Sequence, residues 1–414
     1  VEARGVRPAV WPRGEPLDER LLVVDPRTEV FRESSIRELP GLLRAGDLLV
    51  VNDAATLPAS LQGRTLSGEA VEVRLAGGSE EQGFEAVLFG SGDWRVRTED
   101  RPAPPRLRPG DVLRLGDDFT ATVRRVSSIS NRLVELAFED RGARFWERLY
   151  RHGRPIQYSY LEADLTLGQV QTGYGGRPWA FELPSAGRAL NSSLLEALRL
   201  KGVGLAWLTH AAGLSSTGDD ALDALLPFPE RFEIPEETTR AVERTRGRGH
   251  RLVAVGTTVV RALEGAAAQG GGSLKGGTGT VTLRISRSFE PRVVDGLLTG
   301  LHEPGTSHFE LLTAFGPPDL LLAAYRHAER KGYLSHEFGD AMLLLDQGST
   351  ARDWGPWASG THTVEGVLRK QAKRLHETHH SNDPKSQENC PSCRTDRSMA
   401  VGGLDPGWIA SLVD

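Results

Sequence analysis

One stretch, RLVAVGTTVVRALE from Arg251 to Glu264, limits the folds open to this chain more than any other. Leu252, Val253, Ala254 and Val255 form a short apolar run, Gly256 follows, and Thr257 and Thr258 lead into a helical pattern through Arg261 and Glu264. The pattern predicts a buried strand, a tight turn and a helix whose first N–H groups face that turn. In α/β folds such a turn lies at the carboxyl end of a strand, where free helix N–H groups and the helix dipole attract ligands. A second block, VVDGLLTGLHEP from Val293 to Pro304, sets Asp295, Thr299 and His302 in a similar polar-after-apolar context. Together the two blocks predict an enzyme. The first alone would fit a structural βα turn equally well.

The same texture runs through most of the chain, with one interruption. SSIRELPGLLRAGDLLVVND predicts a short helix with capping-box spacing between Ser35 and Glu38, then a buried strand over Leu48 to Val51 that ends in Asn52 and Asp53. From Pro58 to Leu149 the pattern changes to short alternating runs: GEAVEVRLAG, FEAVLFG, DVLRL, FTATVRRV and RLVELAF, separated by Gly, Asp and Pro. Such runs predict a small antiparallel barrel or sandwich. Helical and strand patterns then alternate again. NSSLLEALRLKG is a capped helix closed by Gly202, VGLAWLTH a strand ending at His210, and PEETTRAVERTRG a helix with acidic residues in its first turn. TVTLRIS predicts a further strand, PPDLLLAAYRHAERKG a helix, and FGDAMLLL follows. The expected class is α/β (α+β): a barrel-like α/β main domain over 1–57 and 151–346, a small antiparallel β-barrel inserted at 58–150, and a partly disordered appendage over 347–414.

Composition narrows the function. A chain of 414 residues with 39% hydrophobic and 25% charged residues suits a globular protein of two or three units. A net charge of −5 excludes coating nucleic acid through bulk charge, and leaves RPAPPRLRPG and RTRGRGHR as local basic runs that either face RNA or are solvated. No segment approaches the ~20 apolar residues of a spanning helix and no signal-like segment opens the chain, so no membrane partner is expected. The only two cysteines, Cys390 and Cys393, predict a reducing, cytoplasmic setting. With His376 and His379 they also supply the ligand types of a tetrahedral zinc site, the alternative being a free tail.

Taken in order, the blocks LLVVND with Pro58 and Ala59, Gln171-Thr172 with Tyr174, Pro184 with Ala186-Gly187, Thr209-His210, VGTTVVRALE, Val294-Asp295-Gly296-Leu297 with Thr299, His302 and Pro304, and Phe338-Gly339-Asp340-Ala341-Met342 carry a likeness. Through them the chain resembles the S-adenosylmethionine:tRNA ribosyltransferase-isomerase family of queuosine biosynthesis, from about Leu21 to Leu345. The resemblance implies an α/β main domain carrying a β-barrel. It also implies transfer of the ribosyl group of S-adenosylmethionine to a 7-aminomethyl-7-deazaguanine base in tRNA, with isomerisation to an epoxycyclopentanediol. The chain departs from the family where arginines would be, at Ala55 and Ser60. It departs again where histidines would be, at Ala189 and in the segment Leu225, Pro227 and Phe228, which keeps only Glu230. A relative with a different acceptor, or a non-catalytic RNA-binding relative, stays open on these residues.

The reaction needs a base for the carbon beside the sulfonium, a donor for departing adenine and polar groups for the ribose. His210, His302 and Asp295 are the candidates for acid–base and charge-stabilising roles. Each has a structural alternative: a satisfied strand-end histidine, a hydrogen-bonded histidine, and a helix N-cap. Asn52, Asp53, Gln171, Thr172, Thr257, Thr258, Arg261 and Thr299 are the candidates for binding the donor. For Thr257 and Thr258 the alternative is N-capping, and for Arg261 a surface pair with Glu264.

Overall fold

In the computed structural model, residues 5–348 and 361–363 are described; His376, His379, Cys390 and Cys393 lie outside them. The strand predicted at the opening motif forms over Leu252–Val255, every residue of it buried, and lies between two parallel neighbours, Leu48–Asn52 and Gly296–Gly300. Gly204–His210 pairs in parallel on the far side of Leu48–Asn52. These four strands are the centre of a ten-stranded mixed sheet. It continues through Glu230–Ile234 and Gly277–Val281 on one side, and through Ala341–Leu345, Arg20–Asp25, Val30–Ser35 and Thr361–Thr363 on the other. Leu48–Asn52 and Leu252–Val255 read as unbroken apolar runs because helices cover parallel strands on their faces. Beneath one face, Leu21, Val23, Leu49, Val51, Val253, Val255, Leu298 and Leu343 share a core with Leu194 and Leu198 of the helix Ser192–Leu200. That helix starts where the sequence predicts, with Asn191 accepting the Leu194 N–H at 3.0 Å.

The interruption is a closed barrel of six antiparallel-paired strands between Ser60 and Phe138. Its core is aromatic. Phe84 stacks on Phe145 at 5.4 Å and Phe119 on Phe138 at 4.9 Å. Each buried phenylalanine contributes ~1.5–3 kcal/mol relative to exposure. Phe145 belongs to the helix Ala143–His152, which closes one side of the barrel. The barrel core is continuous with Phe181, Ala211, Leu214 and Phe228 of the main unit. We propose residues 58 and 150 as the limits of this insert.

Three local expectations differ from the structure. Ser35 makes no side-chain cap, and a 3-10 turn, Ile36–Glu38, leads into the helix Leu39–Leu42. TVTLRIS is not a strand: the edge strand is Gly277–Val281, and pairing with Glu230–Ile234 ends at Val281. GLLTG is a strand rather than a helix start. Its glycine, Gly296, lies where a Cβ would come within 2.4 Å of Leu345 Cδ1 on the neighbouring strand.

Candidate active site

The carboxyl ends of the four central strands stand side by side in the order His210, Asn52, Gly256, Thr299. Adjacent strands are ~4.8 Å apart, so the row is ~14 Å long. The Asn52 side chain is not free. Its Oδ1 accepts the N–H groups of His210 (2.9 Å) and Ala54 (3.1 Å), and its Nδ2 donates to the His210 carbonyl at 3.0 Å. Asn52 therefore fixes the backbone that carries His210. Asp53 accepts from the Thr209 hydroxyl at 2.6 Å; burial outweighs this bond and the nearby Arg177, and pushes its carboxyl above the usual range.

His210 is fully buried and neither ring nitrogen has a hydrogen-bond partner. Glu230 Oε2 lies 3.4 Å from its Nε2, outside hydrogen-bonding geometry. Burial, and then the Arg261 charge, hold the imidazole well below its ordinary range, so it is neutral. Arg261 is also buried and is ion-paired with Glu230. The expected surface pair with Glu264 is absent: Glu264 instead accepts the N–H groups of Arg292, Val293 and Val294. Glu230 further accepts the Gly213 N–H at 2.7 Å, yet burial wins over these partners and raises its carboxyl.

The helix Thr257–Gln269 begins at Gly256, whose φ of 92° lies in the region that favours glycine. No side chain caps this helix start, so N-capping is not what the threonines do. Ala186, in the turn Ser185–Gly187, lies against Gly256, 3.5 Å from where its Cβ would be. On the next strand the Thr299 hydroxyl and His302 Nε2 are 2.8 Å apart. His302 stacks on His308 at 4.8 Å, with an interplanar angle of 13°. Burial takes His302 well below its usual range, with smaller contributions from His308 and His336. Burial, and then Arg261, bring His308 down to about 4.

Asp295 is not in the row. Its carboxylate accepts the Leu252 N–H at 2.8 Å, and its own N–H donates to the Leu252 carbonyl. This ties the amino ends of two parallel strands together, at the opposite edge of the sheet from His210. Gln171 pairs through both amide atoms with the backbone of Thr56, and is satisfied. The Thr172 hydroxyl is buried without a partner.

Several groups that the motifs did not single out also gather here. Glu182 accepts from the Tyr158 hydroxyl and from Ser215 Oγ (2.6 Å), and burial raises it to about 7. Glu337 accepts from Tyr160, whose ring lies 4.3 Å from that of His336. His336 has a φ of 66°, strain of a kind that functional sites often hold. Each of these residues stands alone in its segment, without the strand-to-turn pattern that marked Gly256. Ser60, at an expected arginine position, is in register with Arg74 on the neighbouring barrel strand. Its hydroxyl donates to Glu72, a buried carboxylate held below its usual range by Arg74 and Arg101 against the effect of burial. Arg101 is thus the buried member of the RPAPPRLRPG run. Arg106 and Arg108 line an open depression on the barrel. Among the described residues no group of three or more His, Cys, Asp or Glu is placed to hold a metal, and no helix is long and apolar enough to cross a membrane.

The queuosine biosynthesis protein family matches residues 8–344. The S-adenosylmethionine:tRNA ribosyltransferase-isomerase of Acidithiobacillus ferrooxidans is 34% identical over 338 residues, covering 79% of this chain and 91% of that protein. The enzyme of the same name from Thermus thermophilus is 35% identical over 344 residues, covering 80% and 94%. The crystal structure of S-adenosylmethionine tRNA ribosyltransferase from Thermotoga maritima matches 82% of this chain and 96% of its own at 26% identity, with a TM-score of 0.45. On the extent of these sequence matches, the chain belongs to the queuosine biosynthesis protein family.

Proposed function

We propose that the protein transfers the ribosyl group of S-adenosylmethionine to a 7-aminomethyl-7-deazaguanine base in tRNA and isomerises it, releasing adenine and methionine and leaving epoxyqueuosine. A tRNA substrate makes the cytoplasm its working compartment. The observation that carries this reading is the row of His210, the Gly256 turn and the Thr299–His302 pair along one sheet edge, in a chain whose relatives bear that enzyme's name.

The chemistry suits these residues. The sulfonium acidifies the carbon beside it, and a base must be unprotonated to accept that proton. His210 meets the condition at neutral pH because it is held neutral, with both ring nitrogens unengaged. Arg261 and Glu230 form a buried ion pair beside it, with Glu230 Oε2 3.4 Å from its Nε2. The free N–H groups of the Thr257–Gln269 helix, with the Thr257 and Thr258 hydroxyls, suit an anionic or hydroxyl-rich part of the donor. Thr299 and His302 form a donor–acceptor pair for ribose hydroxyls or departing adenine.

The test is incubation with S-adenosylmethionine and tRNA bearing the aminomethyl-deazaguanine base, with adenine and epoxyqueuosine measured together. Both should appear. Absence of both rejects the reading. With His210→Ala, turnover should fall ~10²–10⁴-fold, the range for loss of a general base, with little change in KM. Unchanged turnover removes His210 from the mechanism.

A further inference from the structure

Arg188 stands in PSAGRAL, directly after the turn that packs on Gly256. Its side chain is only 7% exposed, and its Nε and Nη2 are buried without hydrogen-bond partners. Two ionisable side chains act on it, Glu19 and Arg13, and neither hydrogen-bonds to it. Glu19 is the nearest acid, with Oε2 3.6 Å from Nη2, beyond hydrogen-bonding distance. Asp340 is committed elsewhere, accepting from Arg13 at 2.6 Å, the Arg20 N–H at 2.9 Å and the Leu334 N–H at 2.8 Å. Arg13 is a second cation. Burial also raises Glu19 to about 8, with Arg188 and Arg13 too weak to reverse it, so near neutral pH its carboxyl is mostly uncharged.

A guanidinium stays protonated under these conditions, and a buried cation without an anion is strongly unfavourable. The side chain lies over the Phe338 ring at 5.3 Å. Phe338 in turn lines a small cavity with Thr56, Glu182, Leu183 and Glu337. The guanidinium therefore stands at the same end of the sheet as Gly256, against a ring that lines this cavity.

We infer that Arg188 is a carboxylate-binding subsite that takes the methionine carboxylate of S-adenosylmethionine. The inference rests on the donor reading above. A guanidinium presents parallel N–H groups that fit a carboxylate in two-point contact. A small flexible donor can thread an amino-acid tail to a 7%-exposed side chain, whereas an RNA phosphate on a bulky backbone cannot. With Arg188 as its anchor, the tail runs along the sheet edge toward Glu19 while the sulfonium and ribose occupy the row from His210 to Thr299.

The test is the rate of adenine release with the modified-base tRNA present, comparing S-adenosylmethionine with its decarboxylated analogue. For the native protein the KM of the analogue should be ~10–100-fold higher, about 1.4 kcal/mol per factor of ten. Arg188→Leu should raise the KM of S-adenosylmethionine by that factor. It should leave kcat and the analogue's KM within about threefold, and Arg188→Lys should recover part of the loss. Equal KM values for the two compounds on the native protein overturn the subsite without any variant. So does a parallel rise for both in Arg188→Leu. Failure of the native protein to release adenine from either compound overturns the donor reading, and the subsite with it.

Discussion

Replacing Glu19 by Gln tests the electrostatics of the sheet edge most directly. The carboxyl is buried, and its pKa is raised from 4.5 to about 8, burial being the dominant cause. In the unfolded chain it ionises near 4.5; in the folded protein it holds its proton until about 8. The folded state thus binds more protons between those limits, and stability is lost as pH rises through that window. Integrating the linkage relation between about pH 5.5 and about pH 8.5 gives a loss of ~3 kcal/mol from this one group. Gln cannot ionise and keeps the shape, so Glu19→Gln should be free of that loss.

The assay is urea unfolding of the native protein and Glu19→Gln at both pH values. The variant should gain on the native protein by ~3 kcal/mol on going from about pH 5.5 to about pH 8.5, read as a rise in midpoint at constant slope. Two unfolding curves that stay a fixed distance apart at both pH values would mean that Glu19 does not hold its proton in the folded protein. Glu19 would then be ionised and paired with Arg188, and the guanidinium would already have its counter-charge.

Three further outcomes follow from the same geometry. Glu230→Gln leaves Arg261 as an unpaired buried cation and should cost ~3–5 kcal/mol in urea unfolding. Adding Arg261→Met should return most of it, and a single-variant cost below ~1 kcal/mol would show the pair to be dispensable. Gly256→Ala meets only ordinary contacts at 3.5 Å, so its cost is the backbone strain of a φ of 92°. That should be ~1–3 kcal/mol, and a neutral thermal shift would contradict it. His308 is held neutral down to about 4, against 6.5 when unfolded. Stability present above 6.5 should therefore be lost as pH falls toward 4, by on the order of 3 kcal/mol. His308→Gln should flatten that acid limb, and an unchanged limb would assign it to other groups.

What the sequence made legible follows from how local each signal is. The RLVAVGTT turn was readable because strand, glycine and helix start are contiguous, and the φ of 92° at Gly256 is what such a turn demands. The barrel was readable from period-two alternation, which a half-buried strand imposes on itself. The Val293–Gly300 block failed for the converse reason. A strand buried on both faces has no alternation, so VVD-GLLTG does not reveal whether the strand precedes or follows the aspartate. It follows, and Asp295 therefore anchors the amino end at Leu252 instead of joining the row at the carboxyl ends.

The site's charge partners were illegible for a further reason: each pair joins segments far apart in the chain. Arg261 could be seen one helical turn from Glu264, so a surface pair was the local expectation. Its actual partner, Glu230, comes from a strand on the far side of His210. Arg188 and Glu19 meet only because the loop after Leu183 crosses to the start of the strand Arg20–Asp25. An arginine expected at residue 60 is absent; Arg74 stands in register with Ser60 on the neighbouring strand, buried and paired with Glu72. Substitutions read one position at a time count as losses. Read in the folded chain, Ser60 and Arg74 belong to one buried cluster with Glu72, so activity here has to be judged by adenine release rather than by motif completeness.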